Sequence, residues 1–258
     1  FLTFDTFYSN ELNMNYLYLF IFTAIHFGIL AVMTFFIVKG MKADQAQTSS
    51  VLLGSLFPNS GNYGAPVVLF AFGAAAFDYA VVLMVIHGIF INSLGIFIAS
   101  YGGAKGASVK EALVRTAKMP VIYGMLLGVI FQLAPFDIHP NIIEGIGLVG
   151  DASIPTVMLI LGMQLAEIKP RKFIWKYVNT VVFMRMAASP LIAAALVVFM
   201  PVDGLIKAVF ILLAAMPVAA NTTMLAVQFN VEAELISFTT LITTLLSILT
   251  IPLTIYLL

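Results

Sequence analysis

The sequence predicts an all-α polytopic membrane protein, built as an inverted repeat of five plus five helices with two broken crossover helices. Composition is the first reason. Of the 258 residues, 62% are hydrophobic and only 9% are charged, against about 25% charged residues in a soluble domain. The second reason is a series of long apolar windows. The third is that two of these windows are interrupted by proline, glycine and asparagine at corresponding positions.

Eight apolar windows are long enough to cross about 30 Å of hydrocarbon. The fourth window is short, and the second and seventh contain the interruptions. The longest connection, 104–118, is rich in Lys and Arg and predicts a cytoplasmic linker. The windows cover residues 14–39, 48–72, 77–102, 119–135, 141–166, 173–200, 204–229 and 232–258.

The orientation of the chain follows from its Lys and Arg residues, because basic residues are retained on the cytoplasmic side. If the first window runs inward, ten of the twelve basic residues lie on the cytoplasmic side and only Lys207 lies outside. The remaining one, Arg185, lies within the sixth window. We therefore expect a multi-pass protein of the plasma membrane with an extracytoplasmic C-terminus.

The two halves of the chain correspond after a shift of 159 residues. This shift places Pro58 on Pro217, Asn62 on Asn221, and His26 on Arg185. The charge count makes the first window run inward and the sixth outward, so the two copies are inverted. Inverted pairs with a Pro/Gly-broken helix in each copy are typical of secondary transporters whose binding site lies between the breaks.

Three regions are expected from this correspondence. Residues 1–103 form a truncated first repeat, 104–118 the linker, and 119–258 the second repeat. The fourth and fifth windows have no counterpart in the first half. We therefore expect two preceding helices to be missing, with the first residues being the end of the second.

The stretch FPNSGNYGAP, residues 57–66, is the clearest break. Unpaired backbone in hydrocarbon costs several kcal/mol, so irregular backbone there is buried in protein or faces a watery cavity. Prolines lack the amide hydrogen, and Gly61 and Gly64 allow close approach, so one half-helix can end and another begin. The second half-helix starts with free amides and a positive dipole end, which favour an anion.

The seventh window contains the matching stretch MPVAANTTM, in which Pro217 breaks the helix and Asn221 and Thr222 supply polar side chains. If the two breaks cross at mid-membrane, a small carboxylate would suit that point. The alternative is that the prolines only kink packed helices while the polar groups satisfy the lost hydrogen bonds.

The quoted motifs resemble those of the auxin efflux carrier family, whose bacterial members are permeases. The break at 57–66 is similar to that family's helix-break motif, and GDASIPTVMLILGMQL resembles its seventh helix. Residues 214–253 are similar to its last two helices. Tyr63 departs from the pattern, since an apolar residue is expected there.

The resemblance implies ten helices in an inverted repeat and an elevator mechanism. The fourth and fifth windows would belong to a static scaffold, and the other windows to a mobile core that carries substrate. It also implies that the family's crossover residues correspond to a set of five positions here. These are Asn59, Asn62, Pro66, Pro217 and Asn221.

Charged residues inside the membrane need a partner or water. Arg185 and Asp151 both lie near mid-membrane and could pair with each other. Alternatively, Arg185 faces the breaks as a fixed cation that braces their free carbonyls, which we favour because His26 is its repeat counterpart. His26 could couple protons to transport or be satisfied by a neighbouring hydroxyl or carbonyl. His87 and Glu144 are weaker candidates.

Several function classes are disfavoured by the sequence. No phosphate-binding glycine loop, HExxH motif or catalytic carboxylate pair is present, so we expect neither an enzyme nor a cofactor or metal. The expected partners are the lipid bilayer and a small organic carboxylate anion, with a homodimer as one assembly and no nucleic acid. The predicted function is secondary transport of that anion. The alternatives are a cation-coupled symporter or antiporter, and an intramembrane enzyme or sensor.

Overall fold

The computed structural model describes residues 1–10, 13–103, 114, 117–118, 120–134, 138–166 and 174–258. The predicted linker at 104–118 therefore lies almost entirely outside the described residues. Three of the helices contain or follow a π-helical turn, at Ser60–Gly64, Ile91–Gly95 and Met184–Ala188. In chain order the helices are α1 Leu2–Ser9, α2 Met14–Gly40, α3 Gln45–Leu56, α4 Ala65–Phe72, α5 Ala74–Gly102, α6 Pro120–Leu133, α7 Pro140–Asp151, α8 Ser153–Ala166, α9 Trp175–Val197, α10 Gly204–Ala214, α11 Ala220–Phe229 and α12 Ala233–Leu257.

The all-α polytopic class is confirmed. Within the described ranges, five helical stretches are long and apolar enough to cross a membrane: α2, α5, α9, α12 and the stretch Pro140–Ile160 across α7 and α8. The second and seventh predicted windows are each two short helices separated by unwound backbone. The fourth is the 14-residue helix α6.

Local sequence sets the start and end of the helix before each break. Asp44 caps α3 by accepting from the amide of Gln47, whose side chain accepts from the amide of Asp44 in return, a capping box. The helix ends before Pro58, which cannot donate to the helical ladder. The corresponding helix α10 begins at Gly204, 159 residues after Gln45, and ends before Pro217. The inverted orientation of the two units stays a prediction.

Packing separates two groups of helices. The scaffold group is α1, α6, α7 and α8, in which α1 packs along α6 and α7. Contact between α1 and α6 is close, because a Cβ on Gly128 would come 2.7 Å from the carbonyl oxygen of Phe4. The core group is α2–α5 and α9–α12, which form one buried apolar cluster and most of a second, which Phe7 of α1 joins. The scaffold group meets the core group where α8 packs against the π-turn Ser60–Gly64 and α1 against α5.

Candidate crossover site

The two unwound segments lie side by side and pair with each other. The amide of Asn59 donates to the carbonyl of Pro217 at 2.8 Å, and the amide of Ala219 donates to the carbonyl of Phe57 at 3.0 Å. These bonds form an isolated antiparallel bridge between Pro58 and Val218. Each break thus supplies the other with backbone partners that a continuous helix would have provided. We call these segments, 57–59 and 215–219, the crossover.

Arg185 connects the helix ends that enter the crossover. Its Nη1 donates to the carbonyls of Leu56 at 2.7 Å and Ser55 at 3.1 Å, at the end of α3. Its Nη2 donates to the carbonyl of Ala214, at the end of α10, and to the hydroxyl of Ser189. The last carbonyls of a helix have no intrahelical donor and form the negative end of its dipole. One fixed cation therefore satisfies the carboxyl ends of both helices.

Ser189 and His26 hold this cation in place. The Ser189 hydroxyl donates to the carbonyl of Ala214 at 2.7 Å and accepts from Arg185. His26 Nε2 lies 3.0 Å from the carbonyl oxygen of Ser189. Because a carbonyl only accepts, Nε2 carries the hydrogen. Among the described residues, Asp151 is not a hydrogen-bond partner of Arg185. Its side chain is exposed and close enough to Asp5 for the two charges to interact.

The second half-helices begin on the other side of the crossover. The carbonyl of Asn59 accepts from the amide of Gly64 at 2.9 Å and closes the π-turn that leads into α4. At the start of α11 the Thr222 hydroxyl donates to the carbonyl of Ala219 at 2.6 Å. The buried amide of Val218 donates to Thr243 Oγ1 on α12 at 3.2 Å. After the crossover the chain therefore becomes helical again at Ser60 and at Ala220.

A cavity of about 250 Å³ adjoins these amino ends, and we call it the crossover cavity. The first break supplies most of its polar wall, and the second break contributes Ala219 and Asn221. The Asn59 side chain is buried, and its Nδ2 has no hydrogen-bond partner among the residues that the structure describes. Helix α5 supplies Met84, His87, Gly88 and Ile91. The Nδ2 of Asn59, at the positive ends of two helices, can therefore donate a hydrogen bond to an oxygen of an anion.

A second cavity of about 380 Å³ lies between the crossover and the scaffold group. Gly61, Asn62 and Met84 line both cavities. The second cavity extends to Pro66 on α4 and to Ser153 on α8. The π-turn of the first break therefore lies between the crossover cavity and the scaffold.

The structure brings most of the predicted residues together. Four line the crossover cavity: Asn59, Gly61, Asn62 and Asn221. Gly64, Pro217 and Thr222 are buried in the same region, and Gly64 is needed because a Cβ there would meet Leu213 and Met216. Arg185 and His26 lie on the side of the helix carboxyl ends. Asp151 and Glu144 are exposed on α7.

Sequence reasoning missed Ser189, Thr243 and Met84 and ranked His87 low. Ser189 follows Arg185 by four residues, a spacing that places two side chains on one helix face, so this signal was available. Thr243 lies in a Ser/Thr-rich run that does not distinguish it from its neighbours. In the part of the chain that the structure describes, no group of three or more His, Cys, Asp or Glu side chains could hold a metal ion.

Comparisons with known proteins identify the family of this chain. The family model described as "Membrane transport protein" matches residues 1–255. An uncharacterized transporter of Methanothermobacter thermautotrophicus is 28% identical over 212 residues, which cover 81% of this chain and 68% of the relative. An uncharacterized transporter of Methanocaldococcus jannaschii is 28% identical over 218 residues, which cover 82% of this chain and 69% of the relative. The chain therefore belongs to the membrane transport protein family, the auxin efflux carrier-like family that its motifs resemble.

Proposed function

We propose that this protein is a secondary transporter that moves a small organic carboxylate anion across the plasma membrane. The solute binds in the crossover, between the two broken helices. The observation that carries the proposal is the division of charge there. The carboxyl ends of α3 and α10 are satisfied by Arg185, whereas the amino ends of the second half-helices adjoin a cavity.

A carboxylate fits the vacant side of this arrangement for two reasons. The amino end of a helix carries a partial positive charge, so two such ends favour an anion. The Nδ2 of Asn59 is a buried donor without a partner, and a carboxylate oxygen is an acceptor that would satisfy it. The substrate-contacting residues we propose are Asn59, Gly61, Asn62, Gly64, Pro66, Pro217, Asn221 and Thr222.

Arg185 and His26 are proposed to brace the crossover. The guanidinium of Arg185 neutralises the negative dipole ends of α3 and α10. A bound cation would otherwise be required there. This argues against the alternative of a carrier coupled to a metal cation such as sodium, since no carboxylate of the described residues lines the crossover cavity. The contacts of Asp151 give it no place in the crossover, and its coupling role stays a prediction.

Transport is proposed to follow an elevator mechanism. The core group would carry the crossover, because its helices and the segments that join them supply all buried residues of one apolar cluster and all but Phe7 of the other. It would move against the scaffold group, which it meets at the π-turn Ser60–Gly64 and at α5. An inside-negative membrane potential favours export of an unaccompanied monoanion by about 2.3 kcal/mol per 100 mV.

Counterflow in proteoliposomes tests the proposal. The full-length protein is reconstituted in vesicles that contain unlabelled malate or malonate, and uptake of the labelled solute is measured. We expect saturable uptake that exceeds uptake into protein-free vesicles and that Asn59→Ala reduces. Asn92→Ala is the matched control, because the Asn92 amide already donates to the carbonyl of Gly88 and the residue lines neither cavity.

Two outcomes would contradict the proposal. Carboxylate binding in a thermal-shift assay without flux would favour a sensor that does not translocate. Flux that depends on sodium at constant pH and potential would favour the cation-coupled alternative.

A further inference from the structure

His87 is a buried histidine on the wall of the crossover cavity. It projects from α5, is 7% exposed, and lines the cavity together with Asn59 and Asn221. Its Nδ1 has no hydrogen-bond partner. The residue also lines a small enclosed space beside His26 and Pro58. Among the described residues, no group occupies this buried ring nitrogen, which can take up a proton.

His26, the other histidine of this region, is committed to the brace. Its Nε2 donates to the backbone carbonyl of Ser189, and the hydroxyl of Ser189 accepts from Arg185. Adding a proton to His26 would place a second cation next to the guanidinium, with no counter-charge between them. His26 therefore serves as a neutral donor, and His87 is the histidine that is free to change its protonation state.

The surroundings of His87 determine when it can carry a charge. Phe27 of α2 packs on its ring at a centroid distance of 5.3 Å, and Pro58 and Phe210 are further neighbours in the enclosed space. The charged or titratable groups that face it are His26 of α2 and Arg185 of α9. In the part of the chain that the structure describes, no Asp or Glu lines either of the two spaces that His87 adjoins. An imidazolium there, without an added anion, would be a buried charge with no counter-charge, which is costly.

A carboxylate in the crossover cavity would supply the missing counter-charge. It would stabilise the imidazolium of His87, so the anion and the proton would each strengthen the binding of the other. Such coupling is reciprocal by thermodynamic necessity. The empty site would then release its proton together with the solute.

We propose that His87 is the proton-binding residue of this transporter and that the protein carries its carboxylate together with a proton. A proton from the aqueous phase adds to the ring nitrogen that holds the lone pair as the anion enters, and both leave on the opposite side. No other bond changes. The inference rests on the proposed function, since it requires a carboxylate in the crossover. It also changes the driving force, because a monoanion plus one proton carries no net charge.

The test is accumulation driven by a pH gradient. Vesicles containing the full-length protein are held at zero potential with valinomycin and equal potassium, and the outside is made one pH unit more acidic. Labelled malonate should then accumulate, by up to about tenfold for one coupled proton. His87→Gln keeps a polar side chain but cannot take up the proton. We expect it to exchange malonate in counterflow but to lose most of the accumulation.

The comparison with His87→Gln distinguishes two explanations. A carrier that binds malonate already protonated in solution would also accumulate it in a pH gradient, but it would do so without His87. Thr34→Val is the matched control: Thr34 Oγ1 is likewise buried without a partner, but the residue lines none of these spaces. It should accumulate malonate like the wild type. Accumulation by His87→Gln equal to the wild type would overturn the inference.

Proton uptake in detergent solution provides a second measurement, which needs no vesicles. Malonate is added to the protein in weak buffer near pH 7.5 with an indicator dye. The wild type should take up a proton on binding, by up to about one per bound malonate, and His87→Gln should take up none. If the His87→Gln variant does not fold, the His87→Asn variant is measured in its place.

The two proposals fail in different ways. A wild-type protein that exchanges malonate but neither accumulates it in a pH gradient nor takes up protons would overturn the role of His87 and leave the proposed function intact. A wild type that transports no carboxylate under any gradient would overturn both.

Discussion

The two breaks of the crossover pair with each other but differ in how much of their surface they leave open. The first break leads through a π-turn, and six of its residues, Phe57 to Asn62, line the crossover cavity. The second break is buried from Ala215 to Ala219, and its Val218 amide is held by Thr243. It supplies only Ala219 and Asn221 to the cavity. The two breaks therefore differ in role: the first lines the cavity with polar groups, and the second supports the first.

Proline chemistry is common to both copies, so it does not explain this difference. What differs is the surroundings. The first break packs against α5 and the scaffold helix α8 beside a cavity, whereas the second is held by Thr243 of α12. Substitutions that act on both breaks, on one break or on neither should therefore have effects of decreasing size.

The largest effect is expected for Arg185, which is bonded to both breaks. Arg185→Ala removes the donor to three helix-end carbonyls, each bond to a charged group contributing about 1.5–3 kcal/mol. We expect malonate counterflow to be abolished in protein that still reaches the membrane. Arg185→Lys, which keeps the charge but not the planar fork, should retain part of the rate. Normal flux in Arg185→Ala would remove the residue from the mechanism.

Replacement of the two cavity asparagines should separate the breaks. Asn59→Ala removes a buried donor that has no partner in the empty site, and a hydrogen bond to a carboxylate is worth about 1.5–3 kcal/mol. The malonate Kd, measured by titration calorimetry, should rise by about 10- to 100-fold. Asn221→Ala should raise it less, because Asn221 is exposed. Equal increases in Kd would mean that the two breaks contribute equally to solute binding.

The support given to the second break is tested at Thr243. Thr243→Val leaves the buried Val218 amide without its acceptor, which costs about 1–3 kcal/mol. We expect a lower Tm, with flux retained in the folded fraction. Thr250→Val is the control, since Thr250 Oγ1 is buried without a partner and its loss should not lower the Tm. A similar decrease in both variants would show that the Val218 bond is not the cause.

The smallest effect is expected for Tyr63, the residue at which the first break departs from the family pattern. Its hydroxyl lies 3.0 Å from Ser247 Oγ, and Ser247 itself donates to the carbonyl of Thr244, so Tyr63 is the donor. Tyr63→Phe loses one partly buried bond, worth about 0.5–1.5 kcal/mol. We expect a small decrease in Tm and unchanged Kd. A large change in Kd would show that the hydroxyl contacts the solute.

Much of the fold could be predicted because its signals are local. Apolar windows of sufficient length and the proline-glycine interruptions placed the helices within a few residues of their observed limits, as at 14–39 against Met14–Gly40. Other features were not predicted. The window 141–166 is interrupted at Ala152, between α7 and α8, and π-turns occur in α5 and α9. Local irregularities of this kind depend on how neighbouring helices pack.

The sequence by itself determined the membrane-embedded class, the positions of the two breaks, and the residues that could serve them. Hydrocarbon thickness fixes window length, and proline removes a backbone donor wherever it stands. Only the tertiary structure decided which groups satisfy one another. It placed Arg185 on the ends of α3 and α10 and left Asn59 and His87 without partners at one cavity. Those contacts join residues far apart in the chain, so they follow from packing and not from local sequence.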